Sequence, residues 1–119
     1  MKIPEILSSL RQLKVGIFEE DVKNDIVGKL HYASNIFTVK LHKDSVAEHI
    51  CIEYPIDDVK DMDDVVDSIN ERVISGRYAK NGNGIVLQSY FPCLDATFFE
   101  QQTFYAIHVL QNMIHICKH

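Results

Sequence analysis

Apolar residues along this chain recur at two spacings in turn, and the switches between them predict its elements. Ile3, Ile6, Leu7, Leu10 and Leu13 fall at helical intervals, and Pro4 suits a first turn, where a missing N–H costs nothing. Residues 14–24 are mixed: Gly16 interrupts the pattern, and Glu19, Glu20 and Asp21 read as a solvated loop. From Ile26 the period becomes two. With Ser34-Asn35 as the turn, Leu30 faces Val39, Tyr32 faces Phe37 and Gly28 faces Leu41, while Lys29, His31, Thr38, Lys40 and His42 take the other side. Such alternation belongs to an antiparallel sheet with one solvated face. After a loop reaching Ala47, Ile50, Ile52 and Tyr54 alternate with His49, Cys51 and Glu53 in a third strand that Pro55 is expected to end.

The helical period returns at Met62, Val65, Val66, Ile69 and Val73, one apolar stripe with Asp67, Asn70, Glu71 and Arg72 on the remainder. Asp61 is the expected N-cap, and Asp63 and Asp64 place negative charge at the positive end of the helix dipole. Gly76 is expected to close the helix in the left-handed conformation. Two strands follow, residues 77–80 and 85–91, turned by Asn81-Gly82-Asn83-Gly84 with positive φ expected at both glycines. Pro92 stops the second strand, and a last helix begins near Asp95 or Thr97, where Thr97 and Glu100 are spaced as a capping box. Apolar residues surround this helix. Phe98, Tyr105, Val109 and Ile116 lie along one side, Phe99, Ala106, Leu110, Met113 and Cys117 along the next, and Phe104, Ile107 and Ile114 on a third. One sheet does not cover three sides. Phe98, Phe104, Ile107 and Ile114 are therefore the candidate interface residues of a homodimer, the competing cover being a first helix that carries Ile6, Leu7 and Leu10.

Composition narrows the partners. A chain of 119 residues, 46% hydrophobic and 24% charged, is expected to form one domain over residues 1–119. Its net charge of -5, with 12 basic side chains scattered among 17 acids, argues against nucleic acid and favours a basic or uncharged protein surface. No long apolar run and no signal-peptide pattern is evident, so no membrane partner and a cytoplasmic location are expected. Cys51, Cys93 and Cys117 suit reduced thiols better than a disulfide framework.

Candidate chemistry is thin. His115 and His119 stand one helical turn apart with Cys117 pointing elsewhere, short of the three or four ligands that zinc requires. His31 and His42 share the solvated face of the first hairpin. Cys51 reads as a small hydrophobe on the second face, Cys93 follows a strand end, and no histidine is placed to activate either thiol. Asp57, Asp58, Asp61, Asp63, Asp64 and Asp67 lack the oxygen spacing and glycine of a calcium loop and read as capping and solubilising groups. Gly82 and Gly84 precede a strand and do not form a phosphate cradle. No catalytic residue, metal or cofactor is expected.

The predicted order is helix, three strands, helix, two strands, helix. That order resembles the YbjN-like family of bacterial sensory-transduction regulators, in particular over Ile69-Asn70 through Gly76-Arg77-Tyr78, the turn at Asn83-Gly84, Ile85-Val86-Leu87 and Phe91-Pro92. The likeness spans most of the chain from Ile26 onward and is one of pattern. Its family is similar in fold to the class I chaperones of type III secretion. The resemblance implies an α+β domain of order α-β-β-β-α-β-β-α, with helices packed on an antiparallel sheet. It also implies a dimeric, non-enzymatic module that holds a partner polypeptide on an apolar surface. The alternatives are an immunity-type or structural protein whose acidic surface covers a basic partner, and a small metal-binding or thiol enzyme.

Overall fold

Five antiparallel strands and two helices make up the part of the chain that the computed structural model describes, residues 26–43, 48–92 and 96–118. The strands are β1 (Ile26–Tyr32), β2 (Asn35–Lys43), β3 (Glu48–Ile56), β4 (Gly76–Asn81) and β5 (Gly84–Pro92), and they lie in the order β1-β2-β3-β5-β4. Helix α1 (Met62–Arg72) follows β3, and α2 (Ala96–Lys118) follows β5. The class is therefore α+β, as the periods predict. Within the described residues the order is β-β-β-α-β-β-α. The helix expected at Ile3 to Leu13 and the segment 14–24 lie outside the described residues, as do Cys93, Asp95 and His119.

Register in the first hairpin differs from expectation by two residues and keeps its faces. Leu30 pairs with Phe37, Gly28 with Val39 and Tyr32 with Asn35. The turn is Ala33-Ser34, with φ of 48° and 67°, instead of Ser34-Asn35. Positive φ at both central residues is the primed turn whose twist matches that of its flanking strands. A slip by an even number returns each side chain to its own face, so Leu30, Phe37 and Val39 still enter the core. Pro55 does not end its strand. It sits opposite Val86, past Thr38 and Glu53 where the ladder to β2 runs out, so its missing N–H gives up no bond to β2.

Both helix ends differ from the sequence expectation. Asp61 adopts the left-handed conformation and its carboxylate makes no capping bond; only its carbonyl joins α1, accepting from the Val65 N–H at 3.0 Å. At the other end Val73 is extended and its N–H donates to the Ile69 carbonyl at 2.9 Å. Gly76 is consequently no cap. It opens β4 beneath α2, where a Cβ would fall 2.5 Å from the Met113 sulfur and 2.8 Å from Val73 Cγ1. In the second hairpin only Gly82 has positive φ, at 59°, whereas Gly84 is needed because a Cβ there would lie 2.8 Å from the Ile56 carbonyl oxygen.

The core fills one side of the sheet. Leu30, Phe37, Val39, Ile50, Ile52, Ile85, Leu87 and Phe91 from the strands meet Val65, Val66 and Ile69 of α1 and Ala106, Leu110 and Met113 of α2. α2 lies mainly on β5, and α1 packs beside it. Ile107 is 1% exposed and Ile114 6% exposed, both inside this cluster. This corrects the interface expectation at those two positions: the chain's own sheet and helices cover them. Phe104 is half-buried with its ring edge-on to Tyr32 at 6.3 Å, and the Phe98 side chain lies outside the described residues.

Candidate functional site

Residues 73–75 connect α1 to β4 and shape a cleft against α2. Gly76 enters β4 directly under Met113, and the short connection leaves α1 extended at Val73 and bends at Ile74 and Ser75. Val73 turns onto the core, and the next side chain points the other way: Ile74 is 102% exposed. Ser75 fixes the far end through a 2.7 Å hydrogen bond between its hydroxyl and that of Tyr105, itself 59% exposed. Opposite this strap, Tyr105, His108, Val109, Asn112, His115 and Ile116 form one stripe of α2 at helical spacing. The cleft is open to solvent and measures about 440 Å³. Val73, Val109 and Ile116 supply apolar surface, while Arg72, His108, Asn112 and His115 supply polar groups.

The solvated face of the sheet is internally paired. Glu53 is 8% exposed yet charged groups and amides reach it: Lys40 Nζ lies 2.6 Å from one carboxylate oxygen and Gln88 Nε2 donates to the other at 2.7 Å. Lys29 donates to the Thr38 hydroxyl at 2.9 Å, and the Arg77 guanidinium stands 5.3 Å from the Tyr90 ring centre. Cys51 is fully buried beneath these side chains. Burial pushes its thiol up from 9.0 to about 11, against a smaller opposing effect of its hydrogen bond with Tyr90. Burial likewise raises the Tyr90 phenol to about 12. At neutral pH Cys51 is thus a thiol and a weak nucleophile. Cys117 is half-buried on α2 and is also raised by burial.

The structure disperses the remaining sequence candidates. His31 is exposed on β1, and His115 lies on the cleft while His119 is outside the described residues. Among the described residues no three His, Cys, Asp or Glu side chains gather as a metal cluster. Asp57, Asp58, Asp61 and Asp64 line a larger depression of about 630 Å³ beside the end of α2. Lys60 and Lys118 share it, and a 2.8 Å bond from the Val59 N–H to the Asn83 carbonyl ties its loop to the second hairpin. Phe104 lines a depression of about 340 Å³ with Tyr32, Ile107 and Gln111. Sequence reasoning passed over Ile74 and Glu53. Ile74 did carry a signal, being an isoleucine one step off the α1 stripe and just ahead of the strand.

Set against family models, curated proteins and solved structures, the chain matches none. No helix among the described residues is long and apolar enough to cross a membrane.

Proposed function

We propose that this chain is a non-enzymatic, cytoplasmic protein-binding module, chaperone-like or regulatory, that holds a segment of a partner polypeptide in the cleft between α2 and the residue 73–75 strap. The observation that carries this reading is Ile74, wholly exposed on a strap bonded at Ser75 to an exposed Tyr105. Covering an isoleucine and part of a tyrosine is worth on the order of 3–5 kcal/mol. That corresponds to weak, transient binding with a dissociation constant on the order of 1 mM. The reading agrees with the resemblance to the YbjN-like regulators and their chaperone-like fold. A homodimer built on α2 has less to use than its sequence suggested, since Ile107 and Ile114 are core residues. A stable dimer buries roughly 800 Å² on each partner, more than Ile36, Ile74 and Tyr105, the exposed large apolar side chains among the described residues, provide.

Peptides displayed on phage and selected against the immobilised chain test the proposal. Selected peptides should shift the amide resonances of residues 73–75 and 105–116, and Ile74→Ser should abolish their binding while leaving the melting temperature unchanged. Peptides that bind equally well to Ile74→Ser, or no enrichment at all, would overturn it. A second reading, an immunity-type protein covering a basic partner, draws on Asp57, Asp58, Asp61, Asp63, Asp64 and Asp67, all of which are exposed. It ranks second because, among the described residues, no exposed large apolar side chain stands among those acids to anchor a complex.

A further inference from the structure

Among the described residues, the cleft-lining side chains able to carry charge near neutral pH are all basic. Arg72 stands at one wall, His108 and His115 at the other, with Asn112, Ser75 and Tyr105 between them as uncharged hydrogen-bonding groups, and no carboxylate among the described residues lines the space. This is unusual for a chain of net charge -5 whose acids crowd the neighbouring depression. The end of α1 contributes partial negative charge through its last carbonyls, which Arg72 in the last turn offsets. Beyond about 8 Å at physiological salt the rest of the molecule's charge is largely screened, so the acids at the far end of α1 act on the cleft only weakly.

Resting on the binding reading above, we infer that the occupant is an acidic polypeptide segment with a bulky apolar anchor. Its anchor would lie against Val73, Val109 and Ile116, and its carboxylates would face Arg72 and His108. A small acid confined within the cleft would touch only the part of Ile74 that lines it and leave the rest of this fully exposed side chain in water. A polypeptide crossing the strap covers it. The acidic stretch of a second copy is a poorer occupant, since its apolar members Val59 and Met62 are already packed on their own core.

Three synthetic probes test this on the folded full chain by resonance titration: glutamates and glycines around a central Phe-Leu pair, the same peptide with lysine for glutamate, and the acidic peptide with serine for Phe and Leu. The first should bind, and the other two should bind at least about three- to tenfold more weakly, the range that rim charges and one anchor command. Arg72→Glu should weaken the acidic probe and strengthen the lysine probe, and this reversal reads out charge in a protein that remains folded. Equal binding of the acidic and lysine probes, both lost in Ile74→Ser, would overturn the acidic preference and leave the cleft reading standing. Binding of no probe, or binding indifferent to Ile74→Ser, would overturn both. A mass of twice 13.7 kDa that falls when Arg72→Glu is introduced would show a second copy as the occupant and overturn the inference.

Discussion

Cys51 shows how one buried residue on the solvated face of a sheet sets a pH limit. Its thiol ionises at about 11 in the folded chain and near 9.0 when unfolded. Between these values the unfolded state releases a proton that the folded state keeps, so stability is fully present below pH 9 and is lost as pH rises toward 11. Denaturant midpoints near pH 8 and pH 10.5 should show wild type losing up to about 2 kcal/mol more than Cys51→Ala over that interval. Sequence alternation placed Cys51 on this face and suggested its hydrophobic role, but it did not reveal that Glu53 beside it is buried. Period tells which way a side chain points; the cover over Glu53 comes from Lys40 and Gln88, on other strands. Glycine roles were legible in part for a similar reason. Gly84→Ala should cost about 1–3 kcal/mol, because the Ile56 carbonyl it meets is backbone and has little freedom to retreat. Gly82→Ala meets no atom within 4 Å and should cost about 1 kcal/mol through φ alone. Thermal melts of both variants separate the two mechanisms, and equal, negligible shifts would contradict both.

At the scale of elements, the first hairpin uses Ala33 and Ser34 where φ is positive, a conformation that asparagine and glycine adopt at less cost. Ala33→Asn combined with Ser34→Gly should stabilise the chain by about 1 kcal/mol, measured by urea denaturation. A loss of stability would mean that the turn lies elsewhere. Helix α2 was the element whose sequence invited the most misreading. Its apolar residues surround it because it has cover on two sides, the sheet below and α1 alongside, while Glu100, Gln101, Tyr105, His108, Asn112, His115 and Lys118 are its exposed positions among those described. The sequence does not show that α1 lies next to α2, because that adjacency depends on where β4 and β5 enter the sheet. Ile107→Glu and Ile114→Glu should therefore unfold the protein instead of dissociating it. Each buries an unpaired carboxylate, a cost on the order of 4 kcal/mol or more against a total of about 5–15 kcal/mol. A folded Ile107→Glu chain, by circular dichroism and a cooperative melt, would return that face to the surface.

For the whole molecule, charge is unevenly placed: the acids gather around the start of α1, while the cleft at its other end is lined by bases. The five-strand sheet and its solvated face were legible because strand periodicity survives even a misplaced turn. The cleft was not, since it forms only once α1, β4 and α2 converge. That convergence also divides the chain into β1-β2-β3-α1 and β4-β5-α2, which meet along the pairing of β3 with β5. Residues 73–75 are the covalent link between these halves, and no strand pair runs through them. A protease that cuts at the exposed Ile74 would sever one peptide bond and no rung of the sheet. Two fragments would then be held by β3 against β5 and α1 against α2, and refolding, until then an intramolecular closure, would become an encounter whose rate depends on concentration.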